Sequence, residues 1–263
     1  MSLIIRKWVG VLILLMILPL DVFAKEWQEL KGNNFIVYYR SSIPEEFVKT
    51  VMDSAEENFR RISENIGLSR SHGWYQDRRA SVYVYADQED YINNSKQVGW
   101  SHGAAITGQK VIVTYPSDQG FFDSLLPHEL GHIILHENLG PYAEIPLWFD
   151  EGMAMNQEKA KSIGSNKIVQ EAIKNGQFIP LTQLSDMRLY SDSDKEKIKL
   201  FYAESASLVN FMMTQLGEAR FSRFCRGLTE NKRFSDVLSE VYQQFEGLDG
   251  LNKKWVNYLK DRT

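Results

Sequence analysis

The stretch that decides the fold reads Leu125-Leu126-Pro127-His128-Glu129-Leu130-Gly131-His132-Ile133-Ile134-Leu135. Its apolar residues recur on one side, which predicts a helix that is buried on that side. Asp123 and Ser124 are expected to cap the helix, and Pro127 falls in the first turn, where a missing N–H costs little. Gly131 costs about 1 kcal/mol relative to Ala inside a helix. We therefore expect another backbone to pass close to Gly131.

The same stretch contains His-Glu-x-x-His, a pattern typical of a zinc site. His128 and His132 are four residues apart and share one face of a helix, so two imidazole nitrogens can reach one Zn²⁺. Glu129 points about 100° around the helix from His128. It can flank the metal without binding it, which is where a general base for water activation belongs. The alternative is a coincidental match on a core helix.

A catalytic zinc usually has three protein ligands and one open position. The continuation His-x-x-Gly-x-x-His is excluded because Leu135 and Asn138 occupy the required positions. We expect His136 to lie near the metal or at the surface rather than to bind it. Glu151, 19 positions after the second histidine, is the better candidate, since a second helix packed on the first could bring it to the metal.

The periodicity of apolar residues changes after the motif helix, which indicates an α+β fold with two lobes, about 25–138 and 139–263. A small sheet with packed helices comes first, and the second lobe is mainly helical. Strands are predicted at 27–30, 35–39, 80–85, 103–107 and 110–115, with helices at about 44–66 and 87–96. Later helices are predicted from 146 and near 167–175, 196–216, 218–229, 233–246 and 248–260, with loops at 176–187 and 191–194.

Residues 1–24 have the pattern of a secretory signal peptide. Arg6 and Lys7 precede an apolar run that is short for a membrane span, and Val22-Phe23-Ala24 is a plausible cleavage site. The mature chain is expected to begin at Lys25 and to be secreted or to lie in the periplasm or cell envelope. Contact with a membrane is expected only if this segment stays uncleaved as an anchor.

Composition restricts the class of partner. The net charge is −4, and the sequence has no polybasic run, so a nucleic-acid partner is not expected. The single cysteine, Cys225, allows no internal disulfide and is expected to be a small buried residue. A peptide or protein substrate and a monomeric state are expected.

The histidine motif and the segment Trp148-Phe149-Asp150-Glu151-Gly152-Met153-Ala154 together resemble the gluzincin metallopeptidases, most closely the peptidase MA-like group. Weaker matches lie at 201–206 and 245–259. The resemblance implies a zincin-like fold, a single peptidase domain over 25–263, and a Zn²⁺ cofactor. It further implies that His128, His132 and Glu151 bind the zinc and that Glu129 is the base.

This chain departs from that family pattern at two positions. Many gluzincins carry Asn before the ligand Glu and Asp four residues after it, where this chain has Asp150 and Met155. His128 is left without an evident residue to orient it. Asp150 is an alternative ligand, but the family spacing favours Glu151.

The predicted function is zinc-dependent hydrolysis of peptide bonds. Tyr202 is a candidate to stabilise the oxyanion, with core packing as its alternative role and His102 as a rival. The strand Gly103-Ala104-Ala105 resembles the zincin edge strand and is expected to pair with substrate backbone. Two other functions stay open: a catalytically degenerate, zinc-containing envelope binding module, and a scaffold without metal.

Overall fold

The computed structural model describes residues 27–65, 74, 78–95, 103–116, 120–140, 143–158, 162–189, 194–230 and 232–262. The predicted signal segment at 1–24 and the candidate His102 lie outside these residues. Within them, no helix combines the length and the apolar character that a membrane crossing requires.

A mixed five-stranded sheet forms the first part of the fold, with the strand order β1-β2-β3-β5-β4. The strands are β1 (Gln28–Lys31), β2 (Phe35–Tyr39), β3 (Ala80–Val84), β4 (Gly103–Ile106) and β5 (Val111–Thr114). β1 and β2 form the predicted antiparallel hairpin, β2–β3 and β3–β5 are parallel, and β4 runs antiparallel to β5. Among the strands that the structure describes, β4 therefore lies at the edge of the sheet.

One face of this sheet is covered by helix α1 (Glu45–Asn65). Alternation along β3 buries Val82 and Val84 and leaves Tyr83 half-buried, as period-two patterning requires. The opposite face carries an aromatic cluster around Tyr85 and Tyr91, and Tyr91 comes from the short helix α2 (Gln88–Ser95). The two helices lie within one residue of their predicted bounds.

The motif helix α3 (Leu126–Leu139) has the predicted first-turn proline and ends at Gly140, where φ is +82°. Its predicted cap is wrong. A π-helical turn (Phe121–Leu125) runs directly into α3, and Leu125 is the N-cap, with no side-chain hydrogen bond. Ser124 bonds to a more distant carboxylate instead. The preceding turn makes a side-chain cap unnecessary because it continues the backbone hydrogen bonding.

The rest of the chain is helical, as predicted. The helices are α4 (Leu147–Met155), α5 (Ser162–Lys174), α6 (Leu181–Asp186), α7 (Lys195–Thr214), α8 (Glu218–Leu228), α9 (Phe234–Val241) and α10 (Gly247–Lys260). Three predictions need correction: α5 begins at Ser162 rather than near 167, α6 lies within the predicted loop 176–187, and α9 ends at Val241 rather than near 246. The result is a mixed α+β fold, as predicted.

Helix α4 is packed between α3 and α7, and two glycines permit the close approach. A Cβ on Gly131 of α3 would lie 2.9 Å from Ala154 Cα of α4. A Cβ on Gly152 of α4 would collide with the carbonyl oxygen of Ser205 in α7. The expectation that a backbone passes close to Gly131 is confirmed. One continuous apolar core connects the sheet, α3, α4 and α7, and it includes the buried Cys225.

Candidate metal centre

Three side chains from α3 and α4 bring ligand atoms to one point. His128 Nε2 and His132 Nε2 are 3.2 Å apart, and Glu151 Oε2 lies 3.7 Å from each of them. The one-turn spacing on α3 aligns the two histidines, and the contact between α3 and α4 brings Glu151 opposite them. These three residues form a group that could hold a metal ion, and we refer to them as the metal group.

The outer nitrogen of each histidine contacts a carboxylate, and this contact fixes the tautomer. His128 Nδ1 lies 2.9 Å from Glu158 Oε1, and His132 Nδ1 lies 2.7 Å from Asp150 Oδ1. A carboxylate accepts hydrogen bonds, so each Nδ1 carries the proton. In the neutral rings both Nε2 atoms then present lone pairs to the same point as the Glu151 oxygen. Only a cation or a shared proton can satisfy three such acceptors.

The spacing of these atoms fits zinc. Donors at 2.0–2.1 Å around a tetrahedral ion lie roughly 3.3 Å from one another. The observed separations of 3.2 and 3.7 Å bracket this value. Two imidazoles, one carboxylate and one open position also match the ligand set of catalytic zinc sites. These three residues therefore fit a zinc ion in both the chemistry and the spacing of their donor atoms.

Asp150, the alternative ligand, has both oxygens engaged elsewhere. Oδ1 accepts from His132 Nδ1, and Oδ2 lies 2.8 Å from His136 Nε2. The structure thus places Asp150 behind His132 rather than beside Glu151 Oε2. It also places His136 next to this carboxylate, in agreement with the expected position near the site.

The ionisable side chains in and beside the metal group change one another's pKa values. Burial opposes the charged forms, but the hydrogen bonds from His132 and His136 hold the pKa of Asp150 well below its usual value. Burial also disfavours the His132 cation, yet the hydrogen bond and charge of Asp150 raise the pKa of His132 to about 9. Burial raises the pKa of Glu151, against the opposing effect of the two histidines.

Glu129 and Tyr202 both lie close enough to Glu151 for their charges to interact. Burial, together with the charges of Glu151 and Glu129, raises the pKa of Tyr202 to about 12, so the hydroxyl keeps its proton at neutral pH. The side chain of Glu129 makes no hydrogen bond within the described part of the chain, so its carboxylate is available to a substrate or water. Tyr202 and His128 line a cavity of about 590 Å³, a size typical of ligand pockets.

The predicted substrate strand lies next to the motif helix. β4 carries Gly103, Ala104 and Ala105, pairs on one side with β5, and contacts α3. Gly103 allows close packing, because a Cβ there would lie 2.7 Å from Leu125 Cδ2. The strand thus has the edge position that backbone pairing with a substrate requires.

Glu158 is the residue that sequence reasoning missed. It is buried, contacts His128 Nδ1 with one oxygen, and accepts a hydrogen bond from Ser124 with the other. It follows the turn after α4, seven residues beyond Glu151, where helical spacing from Glu151 no longer applies. The only sequence signal for Glu158 is that an acidic residue follows α4 closely.

The fold and this cluster define a zincin-like α+β protein in which two packed helices carry a group of residues that could hold a metal ion. The sequence model of the Peptidase MA superfamily matches residues 63–261. Because this match covers well over half of the chain, the protein belongs to the Peptidase MA superfamily. A search of curated proteins finds no match.

Among solved structures, yeast LTA4 hydrolase in complex with Bestatin has a similar fold. The identity is 16% and the TM-score 0.50, and the alignment covers 83% of this chain and 36% of the hydrolase. Native yeast LTA4 hydrolase aligns with 15% identity and a TM-score of 0.49, over 86% of this chain and 38% of the hydrolase. The chain thus spans little more than a third of the length of that enzyme, and the likeness concerns the fold.

Proposed function

We propose that this protein is a zinc-dependent peptidase that hydrolyses peptide bonds, with residues 25–263 as its single peptidase domain. The observation that carries the proposal is the convergence of His128 Nε2, His132 Nε2 and Glu151 Oε2 at one point. A carboxylate with no hydrogen-bond partner among the described residues, Glu129, stands beside them. Membership of the Peptidase MA superfamily supports the same chemistry.

Each residue of the site has a role in this proposal. His128, His132 and Glu151 would hold the zinc, which supplies a Lewis acid that acidifies water and polarises a carbonyl group. Glu129 takes the proton from the attacking water and delivers it to the leaving amine. Tyr202 remains protonated because its pKa is raised to about 12, so it can donate a hydrogen bond to the oxyanion.

The edge strand β4 would align the substrate. An extended peptide that pairs with Gly103–Ala105 adds one strand to the sheet and lies alongside the motif helix. The small side chains of this strand leave room for the substrate backbone. Peptides or proteins with an extended segment are thus the proposed substrate class.

We also propose that the protein is exported, on the basis of the signal-like pattern in residues 1–24. N-terminal sequencing of the protein from the extracytoplasmic fraction should give Lys25 as the first residue. Recovery of the intact Met1 terminus from membranes would instead indicate an anchor.

The central experiment compares Glu129→Gln with the wild type, in zinc content and in cleavage of a peptide library. We expect Glu129→Gln to retain one zinc per chain, because the residue is not a proposed ligand. Cleavage should fall by about two to four orders of magnitude, the range for loss of a general base. Glu137→Ala is a matched control on the same helix, since Glu137 pairs with Lys110 away from the metal group.

Three outcomes decide between the candidate functions. Full activity in Glu129→Gln would overturn the proposed mechanism. A wild type that binds stoichiometric zinc but cleaves no peptide would favour the binding module. A wild type purified without any metal would favour a scaffold and would overturn the zinc assignment.

A further inference from the structure

A third histidine extends the metal group on the side of His132. His136 lies one turn beyond His132 on α3, and its Nε2 is 2.8 Å from Asp150 Oδ2. The other oxygen of Asp150 is 2.7 Å from His132 Nδ1. A single carboxylate is thus held between two imidazoles, one of which points its remaining nitrogen at the metal group. His136 itself is about one-third exposed, with 36% of its side chain accessible.

The bridging carboxylate limits how His132 can move. A carboxylate that is bonded through one oxygen can turn about its side-chain torsions, whereas one bonded through both oxygens cannot turn without breaking a contact. Orientation of a ligating imidazole by a hydrogen-bonded carboxylate is a known determinant of metal affinity. His136 is thus linked to the metal group through Asp150.

The same contact keeps Asp150 from competing with Glu151. The two acidic residues are adjacent in sequence at the start of α4, and either could offer an oxygen to the metal. With Oδ1 against His132 and Oδ2 against His136, both oxygens of Asp150 are already engaged. A neutral amide would suffice to accept the one hydrogen bond from His132, but it has only one acceptor oxygen and could not place an acceptor at both positions that the Asp150 oxygens occupy.

We propose that His136 is a positioning residue, which holds Asp150 as the acceptor for His132 and prevents it from becoming a metal ligand. This inference rests on the proposed zinc site but makes a separate claim about a residue outside its ligand set. It predicts that the identity of residue 136 affects how tightly and with what geometry the metal is bound.

The test compares His136→Phe, His136→Gln and the control Glu137→Ala in two metal measurements. One is the rate of zinc release to a chelator, and the other is the visible absorption spectrum of the cobalt-substituted protein, which reports coordination geometry. We expect His136→Phe to release zinc about 10- to 100-fold faster and to have an altered cobalt spectrum. His136→Gln retains an N–H donor for Asp150 and should restore both properties substantially.

The melting temperature of each zinc-free variant separates misfolding from loss of positioning. A wild-type release rate and cobalt spectrum in folded His136→Phe would overturn the inference while leaving the zinc site intact. Two metal ions per wild-type chain, with one lost in His136→Phe, would make His136 a ligand and would also overturn it. Absence of zinc from the wild type would instead contradict the proposed function itself.

Discussion

At the scale of single residues, the two histidines of the motif are oriented by carboxylates that come from different parts of the chain. Asp150 is adjacent to Glu151, whereas Glu158 follows the turn after α4 and is fixed partly by Ser124. The Nδ1 contacts leave the Nε2 lone pairs directed at one point. The metal group thus depends on these two acidic side chains as well as on its three candidate ligands.

The His-Glu-x-x-His spacing could be interpreted from sequence because it is local. Four residues on any helix give one shared face, whatever the surrounding fold. Glu158 could not be found in this way, since its position depends on how the chain turns after Met155. Asp150 is an alternative ligand on sequence alone, because the sequence gives its position in the chain but not the direction of its side chain.

A residue-scale prediction concerns the hydroxyl group of Tyr202. Tyr202→Phe should lower kcat by about 10- to 1000-fold if the hydroxyl donates to the oxyanion, and zinc content should not change. Peptide cleavage and metal analysis on the same preparation check both parts. Tyr258→Phe is a suitable control, because its ring packs on Phe211 in the helical lobe. An unchanged kcat in Tyr202→Phe would leave Tyr202 with a packing role alone.

At the scale of elements, the distance between α3, α4 and α7 is set by glycines rather than by large side chains. Gly131 lets α4 approach α3, and Gly152 lets α7 approach α4. Because Gly152 follows Glu151 directly, the position of the carboxylate depends on this packing. A helix pair held further apart would move the Glu151 oxygen away from the two histidines.

The second prediction is that Gly152→Ala destabilises the protein and weakens metal binding together. The new Cβ would meet the Ser205 carbonyl and lie 2.6 Å from Val209 Cγ2. Overpacking of this kind typically costs about 1–3 kcal/mol. Urea unfolding of the zinc-free protein measures the stability, and chelator competition measures the metal affinity.

Gly164→Ala provides the control for this prediction. It also replaces a helical glycine, but its Cβ would meet no atom within 4 Å. Removal of a glycine from a helix stabilises by up to about 1 kcal/mol when no clash results. Equal unfolding midpoints for Gly152→Ala and Gly164→Ala would show that α4 and α7 adjust freely, contrary to the packing described.

Most elements could be predicted because their apolar patterns are long enough to define a period. α7 buries a stripe of residues from Phe201 to Met212, and this stripe is long enough to identify the segment as a helix. The six-residue α6 is too short to show a period and follows a proline, so the sequence indicates a loop there. The π-helical turn at 121–125 has no distinct sequence pattern, since it differs from an α-helix only in its hydrogen bonding.

At the scale of the whole molecule, one core joins the sheet to the helical lobe without any disulfide. It contains Cys225, whose pKa burial raises to about 12, so this thiol is unreactive at neutral pH. The prediction that Cys225 is a small buried residue is confirmed. Stability therefore depends on apolar packing, and a charged group inside this core carries a large cost.

Glu204 is such a group, and it makes global stability depend on pH. It is fully buried on α7, and one of its oxygens accepts a hydrogen bond from the backbone N–H of Ile179 at 2.9 Å. The other oxygen has no partner among the described residues. Burial raises the pKa of Glu204 to about 8, against the smaller opposing effect of the Ile179 hydrogen bond. Near neutral pH the folded protein therefore holds a proton that the unfolded chain releases.

The last prediction follows from this difference between the two states. Below the unfolded pKa of about 4.5 Glu204 is neutral in both states, so it imposes no ionisation cost. Between about pH 5 and pH 8 only the unfolded chain is ionised, and stability should fall by about 1.4 kcal/mol per pH unit from this residue. Above the folded pKa of Glu204 the ionisation cost is complete and no longer changes with pH.

Glu204→Gln, which mimics the neutral acid, should match the wild type near pH 5 and be the more stable protein at pH 8. Urea unfolding across this range measures the difference, and Glu196→Gln on the exposed side of α7 serves as the control. A stability difference between Glu204→Gln and the wild type that does not change with pH would mean that Glu204 does not titrate in this window.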